Sequence, residues 1–193
     1  MKKQQRNIQS KRSKKQRIAY IDNENVNVSI AKLGRKMDWL SLLKWLQKTY
    51  KIQQVKMFMG RHPSYQGMYE FFESLGYTLI FRKMIINESQ PLKWNIDTEL
   101  VLEVMKDFPG LHKAVVMSGD GDFACLLEYL YQQKKLEKLI VPNVKRYSDL
   151  FKDILPSSKI IPLSNKKKLL AYTPQKQQPS DANHEETEVP FWL

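Results

Sequence analysis

The sequence predicts an α/β protein with a mainly parallel central sheet of five to six strands and helices on both faces. Short apolar runs recur along the chain, and segments with helical apolar spacing lie between most of them. Glycine and proline mark several of the turns between the two kinds of segment. Because strands that alternate with helices form parallel sheets, these observations predict a layered sandwich with the sheet in the middle.

The first part of the chain contains three predicted strands and two predicted helices. RIAYI is an apolar run that ends in the turn-like DNEN, residues 22–25. Asp38 is suited to cap one helix, and Gly76 is suited to end the next. The predicted elements are a strand over 17–21, a helix over 38–50, a strand over 53–60, a helix over 63–75 and a strand over 77–86.

The second part of the chain continues the alternation. A polar loop leads into a helix that Pro109 and Gly110 end. The apolar runs KAVVMS and KLIVP are typical of buried strands. The predicted elements are a helix over 96–108, a strand over 113–118, a helix over 122–135, a strand over 138–142, a short helix over 147–154 and a short strand over 159–163.

Four aspartates lie at the ends of these elements. Asp22 follows the first strand, and Asp120 and Asp122 in VVMSGDGDF follow the fourth. In a sheet ordered 3-2-1-4-5 the first and fourth strands are neighbours, and ligands bind outside the carboxyl ends of the strands where the order reverses. Asp97 begins the helix that leads to the fourth strand and can reach the same cleft. The sequence therefore predicts four converging carboxylates.

Converging carboxylates predict a divalent cation, because like charges repel unless protons or cations lie between them. Oxygen ligands without clustered histidine or cysteine favour Mg²⁺ or Mn²⁺ over zinc, and the neighbouring glycines would let a phosphate approach. Taken singly, each acid has a simpler explanation. Asp22 and Asp120 suit turns, whereas Asp97 and Asp122 suit helix caps. Their predicted convergence favours the metal site.

Three segments resemble the NYN-domain family of the PIN-like nucleases: IDNENV (21–26), KWNIDTELVLEVM (93–105) and SGDGDF (118–123). The resemblance covers about residues 17–163 and implies a PIN-like α/β/α sandwich that cleaves RNA with a divalent metal. It implies catalytic roles for Asn25, which would orient the first aspartate or the phosphate, and for Ser118 beside the acids. The metal ligands that it implies are Asp22, Asp97, Asp120 and Asp122.

One segment departs from the family pattern. The family's Lys-Gly-[Val/Ile]-Asp is here KWNID, residues 93–97, which is one residue longer. Many members have another acid six residues after the helix aspartate, and here that position is Glu103. Six residues turn a helix by about 600°, which leaves Glu103 about 120° from the direction of Asp97. Glu103 is therefore a secondary candidate, with a solvated surface acid as the alternative.

Basic and aromatic residues near the predicted cleft suggest contacts with RNA. Arg61 and Tyr65 follow the second strand, on the edge of the sheet where the cleft is expected. Lys93 and Trp94 precede the helix that carries Asp97. A base stacked on an aromatic ring contributes about 1–3 kcal/mol. The alternative for Tyr65 and Trp94 is packing in the core or at its rim.

Charge and composition divide the chain into three parts. We expect residues 1–16 to be a disordered basic arm, 17–163 the nuclease domain and 164–193 a disordered tail. The net charge of +12 favours a polyanionic partner, and RNA fits. No apolar stretch approaches the roughly 18 residues of a membrane span. Of the two polyanions that the charge allows, nucleic acid or an anionic membrane surface, we favour the nucleic acid and expect no membrane partner. The single cysteine, Cys125, fits a buried thiol in a cytoplasmic protein.

The tail ends in DANHEETEVPFWL, acidic residues followed by an apolar terminus. One interpretation is a peptide ligand for a protein partner, with Phe191 and Trp192 as anchors. A second is that the acidic part folds over the basic cleft and competes with RNA. A third is a tail without function. Between the two functional interpretations we favour the partner, because competition by charge does not require aromatic residues.

These observations predict a metal-dependent ribonuclease in which a water activated by Mg²⁺ or Mn²⁺ hydrolyses phosphodiester bonds. The sequence offers no Ser/His/Asp or Cys/His set for a protein nucleophile. One alternative is an RNA-binding or regulatory module of the same fold that cleaves slowly or not at all. The other is a nuclease that acts on DNA. The self-repelling acids argue against the first alternative, and the second stays open.

Overall fold

A six-stranded sheet forms the centre of the computed structural model, which describes residues 15–82 and 97–169. The strands are β1 (Gln16–Asp22), β2 (Gln54–Gly60), β3 (Thr78–Arg82), β4 (Leu111–Met117), β5 (Leu136–Val141) and β6 (Ile160–Pro162). Their order is β3-β2-β1-β4-β5-β6, and neighbouring strands pair in parallel. The predicted α/β class and the order 3-2-1-4-5 are confirmed, with the sixth strand beside β5.

Helices connect the strands, and their ends follow local rules. Asp38 accepts a hydrogen bond from Ser41 N (2.9 Å) as a cap, and the left-handed Gly76 (φ 101°) ends the third helix. The helices are α1 (Asn23–Ala31), α2 (Trp39–Tyr50), α3 (Gln66–Leu75), α4 (Asp97–Asp107), α5 (Ala124–Gln132) and α6 (Leu150–Ile154).

The sheet separates two apolar cores. Successive side chains of a strand point to opposite faces, so Ile21 packs with α1, α2 and α3, whereas Ile18 and Tyr20 pack with α4, α5 and α6. This is the predicted α/β/α sandwich. Because the first three helices cover one face and the last three the other, the strand order reverses between β1 and β4.

The register brings the carboxyl ends of β1 and β4 together. Ile21 pairs with Met117, so Asp22 and Ser118 follow paired residues on adjacent strands. The crossovers that leave these two strands go to opposite faces of the sheet, which opens a cleft between them. The cleft is where the candidate site lies.

Three local predictions differ from the structure. DNEN is the start of α1 rather than a turn, and Asp22 is the cap of that helix. The sequence obscures α1 because its asparagine, valine and serine residues are weak helix formers. The helix predicted over 122–135 begins as a 3-10 turn, Gly121–Phe123, and continues as α5. Cys125 is exposed rather than buried.

The chain stays packed on the domain beyond the predicted boundary at residue 163. Leu169 is buried, and its carbonyl accepts a hydrogen bond from Asp38 N (3.0 Å). Residues 1–14 of the predicted basic arm and residues 170–193 of the predicted tail lie outside the described residues. In the part of the chain that the structure describes, no helix is long and apolar enough to cross a membrane.

Candidate active site

Asp22 is the most buried acid of the site, because the end of β1 is also the start of α1. Its Oδ1 accepts a hydrogen bond from Asn25 N (3.2 Å), and its Oδ2 accepts one from Ser118 Oγ (2.8 Å). Only 6% of Asp22 is exposed. The carboxylate is thus fixed in direction, and each oxygen keeps a lone pair for a further ligand.

The SGDGD loop (118–122) after β4 is ordered by the same residues. Ser118, which is fully buried, accepts a hydrogen bond from Asp120 N (3.1 Å). Asn25 Oδ1 accepts one from Gly119 N (2.8 Å), and Asp120 Oδ1 accepts one from Asp122 N (3.1 Å). Asn25 and Ser118 therefore connect the ends of β1 and β4 and fix Asp120 relative to Asp22.

The glycines of this loop admit another part of the chain. A Cβ on Gly121 would lie 2.5 Å from Ser148 Oγ, and one on Gly119 would lie 3.3 Å from Arg146 O. Ser148 N also donates a hydrogen bond to Gly119 O (3.1 Å). The approach of a phosphate to these glycines stays a prediction. In the structure they let residues 146–148, which follow β5, pack against the SGDGD loop.

Burial and neighbouring negative charges raise the pKa of two acids of the site, Asp22 and Asp97. Burial raises the pKa of Asp22 to about 6, although the two hydrogen bonds that it accepts oppose the rise. Asp97 and Asp120 add to it by their charges. Asp97, at the start of α4, has a raised pKa because of its own burial and because of Asp120 and Asp122. The four predicted acids therefore share one electrostatic environment.

Sequence reasoning missed a fifth carboxylate, that of Glu24. Burial and the charge of Asp97 raise its pKa. Glu24 lies in the first helical turn of α1, whereas the sequence predicts a loop there. A loop does not indicate which way the Glu24 side chain points. If Asp22 is recognised as a helix cap, Glu24 falls in the first turn of that helix, where acidic residues are common.

The described residues do not form a closed metal site by themselves. Within 15–82 and 97–169, no three aspartate, glutamate, histidine or cysteine side chains are grouped closely enough to hold an ion. The donor chemistry fits Mg²⁺ or Mn²⁺, because the acids are hard oxygen donors. Burial first, and then the charges of neighbouring acids, raise the pKa of Asp22 and Asp97, so a cation would relieve an unfavourable arrangement. Mg²⁺ usually binds one or two carboxylates and completes its shell with water and substrate phosphates. The residues fit an open site of that kind.

Two of the four predicted RNA contacts can be located. Arg61 is exposed after β2, with its Cζ 5.4 Å from the ring centroid of Phe81. Tyr65 packs partly on the core, and its ring centroid lies 4.9 Å from that of His62. Both residues follow β2 at the carboxyl edge of the sheet. Lys93 and Trp94 lie outside the described residues.

Glu103 belongs to an ion-pair network between α4 and the sheet. Its Oε2 accepts a hydrogen bond from Lys56 Nζ (2.9 Å), and its Oε1 accepts one from Lys106 Nζ (2.8 Å). Lys56, which is buried on β2, also pairs with Asp107 (2.8 Å), whose carboxylate accepts a hydrogen bond from Tyr20 OH (2.9 Å). Both oxygens of Glu103 accept hydrogen bonds from lysines, so this residue has a structural role between α4 and the sheet. Its secondary role at the metal site stays a prediction.

The raised pKa of Asp22 predicts that the metal-free protein is less stable at neutral than at acidic pH. Folded Asp22 keeps its proton up to about pH 6, whereas the unfolded carboxyl releases it near 3.8. The folded state therefore binds more protons between these values, and the free energy of unfolding falls as pH rises through 6, by up to about 3 kcal/mol. Urea unfolding in EDTA at pH 4.5 and pH 7.5 spans most of this interval and should show a loss of about 2 kcal/mol.

Asp22→Asn is the matched variant for this prediction, because asparagine keeps the cap but does not titrate. In Asp22→Asn, the free energy of unfolding should fall much less between pH 4.5 and pH 7.5 than in the parent. Asp153→Asn, a change at an exposed acid, should show the same fall as the parent. A pH profile of Asp22→Asn that parallels the parent's would contradict the assignment of the slope to Asp22.

The strand order reverses between β1 and β4, and Asp22 and the SGDGD loop directly follow these two strands. The family model described as "NYN domain" matches residues 17–155. The chain therefore belongs to the NYN domain family, which is a family of PIN-like nucleases.

One solved structure supports the fold, and a second aligns weakly with the chain. A protein of unknown function from Vibrio parahaemolyticus superposes with a TM-score of 0.62 at 20% identity, over 81% of this chain and 96% of that chain. The T5 D15 protein, co-crystallised with metal ions, aligns with a TM-score of 0.42 at 13% identity, over 70% of this chain and 59% of that chain. A search of curated proteins returns no match.

Proposed function

We propose that the protein is a metal-dependent ribonuclease in which Asp22, Asp97, Asp120 and Asp122 hold Mg²⁺ or Mn²⁺. One observation carries the proposal: a buried aspartate, fixed by Ser118 and by Asn25 N, lies at the junction where the SGDGD loop brings further acids. An asparagine would cap α1 as well as Asp22 does and would avoid the repulsion. A bound cation would explain why this position carries a negatively charged aspartate. Membership of the NYN domain family supports the same function.

In this proposal each residue has a separate task. The bound ion would supply an acidified water and neutralise charge on the phosphate. Ser118 and Asn25 N hold the Asp22 carboxylate in one orientation, so that no reorganisation is required when substrate binds. Since water rather than the ribose 2′-oxygen attacks, we expect products with 5′-phosphate and 3′-hydroxyl ends.

Binding of the RNA strand is assigned to basic residues around the acids. Arg61, with Tyr65 nearby, lies on the β2 side of the cleft, and phosphate contacts of this kind position a strand without choosing its sequence. Lys93 and Trp94 stay predicted contacts. The basic arm (1–16), a cytoplasmic location and a protein partner for residues 181–193 also belong to the proposal.

A matched pair of RNA and DNA oligonucleotides of the same sequence tests the proposed function. We expect cleavage of RNA in Mg²⁺ or Mn²⁺, none in EDTA, and recovery when excess metal is added. Faster cleavage of DNA would support the DNA nuclease instead, and binding without cleavage would support the regulatory module. Cyclic phosphate ends on the products would contradict attack by water.

A further inference from the structure

Residues 143–149, which connect β5 to α6, form a turn whose backbone is fixed beside the acids. The Asn143 side chain is buried, and its Oδ1 accepts a hydrogen bond from Lys145 N (2.9 Å). Asn143 O accepts one from Arg146 N (3.1 Å), and Ser164 Oγ accepts one from Val144 N (3.2 Å). With residues 146–148 packed against the two glycines of the SGDGD loop, the turn has one position relative to the acids.

This turn carries two unpaired cations. The side chains of Lys145 and Arg146 are exposed, and neither forms an ion pair with any residue in 15–82 or 97–169. They remain unpaired although the SGDGD loop, with its excess negative charge, packs against the same turn. Two cations on a turn whose backbone packs against the SGDGD loop suit the phosphates that flank a scissile bond.

A groove opens beside Tyr147, the residue that follows Arg146 in the chain. It has a volume of about 430 Å³, within the range of about 300–1,000 Å³ for small-molecule sites. Leu155, Ile160 and Pro162 give it apolar walls, and Lys152 and Ser157 add polar groups. Tyr147 completes the lining, and its ring stacks on Phe151 (centroids 6.3 Å apart, planes 10° apart).

We propose that Lys145, Arg146 and the groove beside Tyr147 form a subsite for one nucleotide that flanks the scissile phosphate of single-stranded RNA. The two cations each bind one of the phosphates that adjoin this nucleotide, and the groove takes its unpaired base. The inference rests on the proposed ribonuclease function, because it needs a polynucleotide at the acids. It follows from charge complementarity with phosphate and from an apolar, aromatic groove suited to a base.

The test measures binding of a labelled single-stranded RNA in EDTA, so that cleavage does not enter. Lys145→Gln with Arg146→Gln should weaken binding more than about tenfold near 0.1 M salt and reduce the slope of log affinity against log salt by about 1.4. The control is Lys44→Gln with Lys48→Gln, which removes two exposed charges from α2. Equal affinities and slopes for the two double variants would overturn the subsite, as would a parent that does not bind RNA.

The groove is tested through Tyr147. Tyr147→Leu should weaken binding about fivefold or more, because a leucine cannot stack on a base, whereas Tyr147→Phe should bind as the parent does. Melting temperatures show whether the variants are folded, and the binding comparison is made below them. Equal binding by folded Tyr147→Leu and Tyr147→Phe overturns the base-binding part of the subsite.

Failure of the subsite and failure of the proposed function can be told apart. A parent that binds RNA through Lys145 and Arg146 but cleaves nothing with metal overturns the ribonuclease and supports the subsite. A parent that cleaves RNA, with binding that is insensitive to these residues, overturns the subsite alone.

Discussion

Asp120→Asn should lower the cleavage rate at least about a thousandfold, an increase of about 4 kcal/mol in the activation barrier. Asn keeps the Oδ1 acceptor for Asp122 N, so the 3-10 turn Gly121–Phe123 should stay intact. The substitution also removes a charge that raises the pKa of Asp22 and of Asp97. We therefore expect an unchanged or slightly higher melting temperature together with the loss of activity.

The measurement is single-turnover cleavage of RNA in Mg²⁺ and in Mn²⁺, beside thermal unfolding in EDTA. Glu73→Gln, prepared in the same way, is the control for a contaminating nuclease, because Glu73 is an exposed acid of α3 remote from the SGDGD loop. Cleavage by Asp120→Asn at the parent's rate would show that the site has been assigned to the wrong residues.

The central part of the site was predictable from the sequence because it depends on topology. Alternating strands and helices fix a parallel sheet, and in that sheet β1 and β4 are neighbours whose carboxyl ends meet. Asp22 and the SGDGD loop follow those two strands directly, so their approach needs no knowledge of side-chain packing. The hydrogen bond from Ser118 to Asp22 joins residues 96 positions apart, yet strand order alone brings them together.

The parts that sequence reasoning missed depend on packing between distant segments. Glu24 became visible only with α1, whose weak helix formers are stabilised by burial of Val26 and Ile30. The turn after β5 approaches the acids because two glycines leave room for it, and nothing in its own composition shows that contact. Helix periodicity could not reveal the partner of Glu103, since Lys56 lies 47 positions away on another element.

Lys56→Met should destabilise the protein by about 3–5 kcal/mol, because it leaves Glu103 and Asp107 in a half-buried position without their shared cation. Only 8% of Lys56 is exposed, so little water replaces the lost contacts. A change of that size lowers the melting temperature of a domain of this size by about 10 °C. Urea unfolding at pH 7, with thermal unfolding beside it, measures both quantities.

Lys106→Met is the matched control, since Lys106 contacts the same Glu103 carboxylate from the solvent side, with 59% of its side chain exposed. The hydrogen bond from Lys106 lowers the pKa of Glu103 most, and the hydrogen bond from Lys56 lowers it less. Water screens the exposed pair, however, and its loss should cost less than about 1 kcal/mol. If Lys56→Met and Lys106→Met destabilised the protein equally, the ion pairs of buried Lys56 with Glu103 and Asp107 would not be what holds α4 on the sheet.

The pH dependence separates the loss of charge pairing from the loss of packing. The hydrogen bond from Lys106 and the contacts of Lys56 lower the pKa of Glu103, so their stabilising effect is complete above its ordinary pKa and is lost as pH falls through the lowered value. Burial tends to lower the pKa of Lys56, but its bonds to Asp107 and Glu103 raise it overall, so Lys56 stays charged throughout this range. The stability difference between the parent and Lys56→Met should therefore be largest near pH 7 and shrink as pH falls through the lowered pKa of Glu103. A difference that is independent of pH would mean that Lys56 acts on α4 through its aliphatic stem instead of its charge.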